Sequence, residues 1–259
     1  MADIEKMVEN LSQEQKKALV KKIKNKSINY VRNIDEYIPL ASAQRRLWLT
    51  DQINPEAGNQ NTAGVMIVSG AFDVDRMKDS IVRVQRRHEI LRTAIFVSPE
   101  GVVQKVLDRT SLDYKFISLS EYKKCETYDC LNIQEILHAE GSRPLDIGSG
   151  NVIRLSVIQA ASNKYYVLVA LHHAAGDGAS VSLMMDEAWK FYFGYSEDQL
   201  PSLSIQYADY ALWQYKLLRS GAFEIDIKYW EEEFSGMEFG INFLESGGGR
   251  LGYARQSSR

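Results

Sequence analysis

Two adjacent histidines, His172 and His173, have the residue type and the setting that acid–base chemistry requires. They follow an apolar run at 165–171, whose β-branched and aromatic residues predict a buried strand. A strand end holds a side chain rigidly at a cleft, where a neutral imidazole can accept a proton from an attacking nucleophile. We therefore expect His173 to act as a base, provided that its second ring nitrogen is held in one tautomer.

Asp177 and two glycines, Gly176 and Gly178, follow the histidines at a spacing that favours a functional site over a core histidine or a metal ligand. Both glycines can adopt backbone angles that other residues avoid, and Gly178 leaves room for a substrate, so a bulky residue there is expected to block access. Asp177 can orient an imidazole, or it can cap the next helix or pair with an arginine to hold the loop. We favour the structural role, because a turn must be fixed before it can present a base.

Hydrophobic periodicity predicts the strands and helices that must position this turn. Strands are predicted at 62–68, 91–97, 102–106, 152–159 and 165–171, and helices at 74–88, 131–140, 181–193, 205–219 and 225–234. The last two strands are separated by a short turn, so we expect them to pair. The predicted fold class is α/β, an α+β layered sandwich in which helices cover a mixed sheet.

The composition describes a folded protein and excludes several classes of partner. The 259 residues carry a formal net charge of -3, which provides no concentrated basic surface for nucleic acid. The apolar run before the histidines is too short to cross a bilayer, and the first residues lack the order of a signal peptide. Cys125 and Cys130 fit neither a disulfide framework nor a zinc site. We therefore expect a cytoplasmic protein with no metal, no nucleic acid and no membrane as partner.

Four segments, in order along the chain, carry a family resemblance. The segment 172–178, HHAAGDG, resembles the HHxxxDG signature of the chloramphenicol acetyltransferase-like superfamily. The segments 42–48 (SAQRRLW), 87–93 (RHEILRT) and 207–214 (YADYALWQ) resemble the first, second and fourth motifs of nonribosomal peptide synthetase condensation domains. The chain is similar to the amino-terminal lobe of such a domain. It departs from the family in the small residues 174–176 and in Ala179, which puts the expected shape of the substrate channel in doubt.

The resemblance implies an acyltransferase that forms peptide bonds in secondary metabolite biosynthesis. The amine of an acceptor would attack the thioester of a donor, with both reactants held on phosphopantetheine arms of carrier proteins and no cofactor bound directly by the chain. By resemblance, the catalytic motif consists of His172, His173, Asp177 and Gly178. His173 would act as a general base, or would mainly orient the amine and stabilise the tetrahedral intermediate.

The resemblance also implies which residues support the site, and local sequence patterns together with the resemblance divide the chain. Gly176, Arg87 and Arg92 are expected to support the motif, with one arginine paired to Asp177. Residues 1–36 are expected to form a leading amphipathic helix and linker, 37–236 the lobe, and 237–259 a flexible tail at a truncated connection to a missing second lobe. The implied partners are the donor and acceptor peptidyl carrier proteins and neighbouring synthetase domains, including that carboxyl-terminal lobe.

Two other functions are compatible with these residues. A stand-alone acetyltransferase of the same superfamily would use acetyl-coenzyme A and form a trimer, although its motif is expected nearer the carboxyl end than His173. A non-catalytic module that docks a carrier protein needs no second lobe. The sequence leaves open whether this lobe is active by itself, and it does not identify the acyl groups that are joined.

Overall fold

The computed structural model describes residues 37–53, 60–99, 101–119 and 133–237. The elements along the chain are β1 (Ile38–Pro39), α1 (Ser42–Ile53), β2 (Asn61–Ser69), α2 (Val74–Arg87), a 3-10 helix (Glu89–Arg92), β3 (Thr93–Ser98), β4 (Gly101–Val106), β5 (Asp113–Ser118), α3 (Ile133–Ser142), β6 (Ile153–Ala161), β7 (Lys164–His172), α4 (Gly178–Tyr192), a second 3-10 helix (Glu197–Gln199), α5 (Tyr207–Arg219) and α6 (Glu224–Phe234). The chain divides into two compact units, Met1–Leu217 and Leu218–Arg259. The leading helix expected within 1–36 lies outside the described residues.

The larger sheet is mixed, and β7 lies inside it. Its strand order is β2-β7-β6-β5, with β7 antiparallel to both neighbours and β5 parallel to β6. Residues 167–172 of β7 are all buried, as expected for a strand covered on both faces. The predicted pairing of 152–159 with 165–171 is confirmed. The last residue of this central strand is His172, so the sheet fixes where the site begins.

Helices cover both faces of this sheet. Ala63 and Gly64 are successive residues of β2, and successive residues of a strand point to opposite faces. A Cβ on Gly64 would lie 2.9 Å from Val181 of α4, whereas a Cβ on Gly141 of α3 would lie 3.4 Å from Ala63. Helix α2 packs beside α4 and contributes Met77, among others, to the main core. The arrangement confirms the predicted α/β class with a mixed sheet covered by helices.

A smaller antiparallel sheet, of order β1-β4-β3, lies in the same unit. Ile95 of β3 packs in a separate small core with Leu40, Ile147 and Ala174, which lie outside the strands of this sheet. Ala174 belongs to the turn that follows the two histidines. This turn therefore packs into the small core, although it directly follows β7 of the large sheet.

The structure differs from the sequence prediction at the two-residue strand β1, which is not predicted, and more substantially at three further elements. Helix α1 was not predicted because its one buried residue is the polar Gln44, so it has no apolar stripe. Strand β5 was not predicted because it lies at a sheet edge and buries only Ile117. The strand predicted at 91–97 starts only at Thr93, because the preceding residues form a 3-10 helix.

The second unit contributes α6 and the turn before it to the described residues. Gly221 has a φ of +74°, a left-handed conformation that favours glycine. Trp230 and Phe234 lie one helical turn apart in α6, and their rings stack with a distance of 5.3 Å between the centroids. The helix predicted at 225–234 is therefore present.

A buried arginine, Arg154 of β6, ties three elements of the first unit together. Its guanidinium donates to Asp113 of β5 at 2.8 Å, and to three carbonyl oxygens at the end of α3 and just beyond it, those of Glu140, Arg143 and Pro144. Its side chain is 0% exposed, so these acceptors replace all of its hydration. This network holds the segment after α3 against the sheet.

Replacing Arg154 with methionine should destabilise the fold by at least about 3 kcal/mol, because three carbonyl oxygens lose a buried donor and the partly buried carboxylate of Asp113 loses one of its two arginine partners. Urea unfolding of the chain measures this loss. The matched control is Arg143→Met, which removes a second, 43% exposed partner of Asp113 and should cost less than about 1 kcal/mol. Equal losses in the two variants would contradict the central role of Arg154.

The same network predicts an acid-dependent loss of stability. Burial alone would raise the pKa of Asp113, but hydrogen bonds and charge from Arg143 and Arg154 outweigh burial and lower this pKa below 3.8. Because the pKa of Asp113 is lower in the folded state, its ionised carboxylate stabilises the fold at a pH above its unfolded pKa of about 3.9. This stabilisation is lost as the pH falls through the folded pKa. The free-energy difference between the parent and Asp113→Asn, from urea unfolding, should therefore be constant near neutral pH and shrink below about pH 4. A difference that does not change with pH would exclude this linkage.

Candidate active site

The two histidines occupy opposite environments because they are consecutive at the end of a strand. His172 is the last residue of β7, pairs with Asn61 of β2, and is 1% exposed. His173 is exposed, and its backbone N–H donates to the carbonyl of Gln60 at 2.7 Å. Its imidazole has no hydrogen-bond partner within the described ranges. Of the two, only His173 can therefore meet a substrate.

The hydrogen bonds of His172 show that it is held as a neutral ring. Its Nδ1 accepts the backbone N–H of Ala174 at 3.1 Å, which leaves the proton on Nε2. Nε2 faces Oδ1 of Asp51, on α1, at 3.5 Å. Burial lowers the pKa of His172, and the neighbouring His173 lowers it too, while Asp51 acts in the opposite direction. His172 thus supports the turn and is closed to substrate.

The carbonyl of Ala174 is held from the other side by Gln44, also on α1. Gln44 Nε2 donates to this oxygen at 3.4 Å and to Gln104 Oε1 of β4 at 3.2 Å. Gln104 Nε2 donates back to Gln44 Oε1 at 3.1 Å, so the two buried amides form a reciprocal pair. Sequence reasoning missed Gln44, Asp51 and Gln104 as site residues. The available signal was the family-like segment 42–48, which contains Gln44.

Asp177 caps α4 and does not orient a histidine. Its Oδ1 accepts the backbone N–H of Ser180 at 2.9 Å and the hydroxyl of Ser180 at 2.7 Å, and its side chain is exposed. These hydrogen bonds lower the pKa of Asp177. An anionic carboxylate is well placed here, because the first N–H groups of a helix lack intrahelical acceptors.

The expected pairing of Asp177 with an arginine is wrong. Arg87, at the end of α2, pairs with Glu187 of α4 at 3.2 Å, and Arg92 donates to the carbonyl of Leu107. Glu187 lies nine residues beyond the first residue of α4, about 14 Å along a helix that rises 1.5 Å per residue. Arg87 therefore braces the middle of α4 against α2, far from the Asp177 cap.

Gly176 and Gly178 differ in what they contribute. Neither has a positive φ, so the expectation of unusual backbone angles at these positions is wrong. A Cβ on Gly176 would lie 2.7 Å from Ser180 Cβ and 3.2 Å from Leu171 Cδ1, whereas a Cβ on Gly178 would meet nothing within 4 Å. Gly176 is required for close packing of the turn, and Gly178 opens onto free space. That a bulky residue at 178 blocks substrate access stays a prediction.

A cavity of about 480 Å³ borders the buried side of the site. It is lined by Trp48, Asp51 and Gln52 of α1, by residues 95–97 of β3 and by residues 144–148. Asp51 therefore contacts both this cavity and the ring of His172. Within the described ranges, no three metal-binding side chains come together. None of the helices given above is long and apolar enough to span a membrane.

Comparison with known proteins assigns the class of this fold and site. A model of the condensation domain family matches residues 34–247, most of the chain. The chain therefore belongs to the condensation domain family, and the resemblance drawn from its four motifs is confirmed. The residues matched include both histidines, Asp177 and all of the described elements.

Its relatives are peptide synthetases. The chain is 31% identical over 200 residues to tyrocidine synthase 2 of Brevibacillus parabrevis, 31% over 201 residues to bacitracin synthase 3 of Bacillus licheniformis, and 28% over 198 residues to surfactin synthase subunit 2 of Bacillus subtilis. These matches cover 77%, 78% and 76% of the chain but only 5%, 3% and 5% of the relatives. The chain thus corresponds to a small part of each synthase.

Solved structures confirm the fold. The X-domain from teicoplanin biosynthesis superposes with a TM-score of 0.68 at 20% identity, covering 82% of this chain and 46% of that one. The condensation domain from the monacolin K polyketide synthase gives a TM-score of 0.64 at 24% identity, covering 87% of this chain and 50% of that one. The chain therefore spans about half the length of these structures.

The two glycines give a matched pair of variants. Gly176→Ala should destabilise the chain by about 1–3 kcal/mol, because the new methyl group displaces Ser180 from the Asp177 cap. Gly178→Ala should leave stability unchanged or raise it by up to about 1 kcal/mol, because the methyl group has space and alanine favours helix. Urea unfolding of both variants makes the comparison, and a reversed order of stabilities would contradict the packing described.

Proposed function

We propose that this chain provides the histidine-bearing lobe of a domain that joins two carrier-bound substrates through an amide bond in nonribosomal peptide synthesis. The observation that carries the proposal is the exposed imidazole of His173, presented by a turn whose neighbouring residues, His172 and Ala174, are buried and hydrogen-bonded. Membership of the condensation domain family and the similarity to tyrocidine and surfactin synthases support it.

In the proposed reaction, the amine nitrogen of the acceptor attacks the thioester carbon of the donor. A C–N bond forms, the C–S bond breaks, and the donor's carrier leaves with its thiol. The amine loses one proton, which His173 takes and returns to the sulfur. An α-amino group has a pKa of about 8 and is partly neutral without help, so much of the acceleration can come from positioning.

The setting of His173 favours orientation of the amine over strong base catalysis. A general base of high activity has its second nitrogen held by a partner, and the His173 ring has none within the described ranges. We therefore propose that His173 accepts a hydrogen bond from the attacking amine, aligns it with the thioester, and receives the proton once the C–N bond has formed.

The proposed partners are a donor and an acceptor carrier protein in the cytoplasm, each with a phosphopantetheine arm, and a second lobe that completes the domain. The second lobe is proposed because the chain spans about half of the solved structures it resembles. Residues 37–236 are proposed as the lobe and 237–259 as its connection to the other half. The free space beside Gly178 is consistent with a substrate channel between two lobes.

Replacing His173 with alanine should lower the rate of amide formation by about 10²-fold or more, because both alignment and proton acceptance are lost. The rate is measured with aminoacyl-loaded donor and acceptor carrier proteins and the complete domain that contains this chain. His173→Gln keeps a hydrogen-bond acceptor but not a base, so it should retain more activity than His173→Ala if alignment dominates.

The matched control is His138→Ala, because His138 is also an exposed histidine but belongs to α3 and not to the turn. The complete domain that carries His138→Ala should form the amide at the parent rate. Full activity in His173→Ala would exclude both roles proposed for His173.

A further inference from the structure

Two polar side chains of α1 contact the turn that carries His173. They are Gln44 and Asp51, seven residues apart, which is close to two turns of a helix with 3.6 residues per turn, so they lie on the same face. Gln44 is 1% exposed, and the side chain of Asp51 is 17% exposed. A helix normally buries apolar residues, so a buried polar face indicates a specific hydrogen-bonding role.

Every hydrogen-bonding position of the Gln44 amide is occupied. Oε1 accepts from the backbone N–H of Ala41 at 3.1 Å and from Gln104 Nε2 at 3.1 Å, while Nε2 donates to Gln104 and to Ala174. The Ala41 contact fixes which end of the Gln44 amide is oxygen, because a backbone N–H can only donate. The N–H of Gln44 must therefore point at the Ala174 carbonyl, and it cannot rotate away without losing several bonds in a buried place.

A continuous chain of contacts runs from Asp51 to Gln44 around the turn. Asp51 faces His172 Nε2, His172 Nδ1 accepts from the N–H of Ala174, and the carbonyl of Ala174 accepts from Gln44. His173 lies between His172 and Ala174, and its own N–H is bound to the carbonyl of Gln60. The backbone on both sides of His173 is thus held, and its side chain keeps only its own rotations.

We propose that Gln44 and Asp51 are positioning residues for His173, acting through Ala174 and His172 respectively. The hydrogen-bond geometry described here is independent of the reaction, whereas the consequence for turnover rests on the proposed function. Positioning is costly to lose, because a displacement of about 1 Å can reduce a rate by about 10²-fold.

The first test compares Gln44→Met with Gln104→Met. Both variants break the buried amide pair and keep the side-chain volume, so both should lower stability in urea. Only Gln44→Met also removes the donor to the Ala174 carbonyl. We expect Gln44→Met to lower kcat by about tenfold or more with little change in KM. Gln104→Met leaves the Ala41 contact and the donor to Ala174 in place, so it should lower kcat by clearly less. Equal losses of kcat in the two variants would overturn the role of Gln44, since they would then follow from stability alone.

The second test compares Asp51→Asn with Asp51→Ala through the tautomer of His172, read from the ¹⁵N shifts of its imidazole. The parent and Asp51→Asn should keep the proton on Nε2, because an asparagine oxygen can still accept from it. In Asp51→Ala the buried Nε2 proton has no acceptor, so we expect the ring to turn away from the Ala174 N–H, which should give a mixture of tautomers and a lower kcat. Asp51→Asn should restore both towards the parent. An unchanged tautomer and kcat in Asp51→Ala would overturn the role of Asp51.

A readout without turnover separates this inference from the proposed function. The backbone amide order parameters of His173 and Ala174 should be near the rigid value of about 0.85 in the parent and in Gln104→Met, and clearly lower in Gln44→Met. If the complete domain forms no amide from carrier-bound substrates, the proposed function fails while these values and the tautomer still decide the inference. If the backbone amides of His173 and Ala174 keep the parent order parameters in Gln44→Met, the positioning role of Gln44 is overturned.

Discussion

The arrangement of the site depends on the burial of one imidazole, that of His172. Because His172 is the last residue of the central strand, the sheet determines which way its ring points, and the next residue must point the other way. A buried ring needs partners for both nitrogens, and it finds them in a backbone N–H and a carboxylate. The exposure of His173 is the consequence. The site thus pairs a neutral structural histidine with an accessible one, although the two are identical in type and adjacent in the chain.

The turn also links the large sheet to the core beside the small sheet. His172 ends the large sheet, while Ala174 packs in the small core with Leu40 and Ile95 and is bonded by Gln44. Gln44 in turn is tied to Gln104 of the small sheet. The position of His173 therefore depends on both sheets at once. This explains why a family-like segment far from the histidines in sequence, at 42–48, belongs to the same site.

Buried polar networks hold the rest of the unit in comparable ways. Arg154 joins β5, β6 and the segment after α3, and Arg87 joins α2 to α4 through Glu187. His88 shares the same carboxylate at 2.6 Å. Each network satisfies a charge that would be costly to bury alone, and each spans elements distant in the chain. Arg87 is therefore a brace of the helix that Asp177 caps, and it does not contact the cap.

The strand, the turn and the helix around the motif, the α/β class and the family could all be predicted from the sequence. These features are encoded locally, in apolar periodicity and in a short run of residue types, and periodicity of this kind directly reflects burial. Apolar periodicity could not indicate α1, because the buried residue of that helix is a glutamine. It also could not indicate the partners of His172, Asp177 and Arg87. The contact between His172 and Asp51 joins residues 121 positions apart, and that between Arg87 and Glu187 joins residues 100 apart. These contacts follow from tertiary packing, because a side chain capable of several hydrogen bonds makes the one that the packing of distant elements brings within reach.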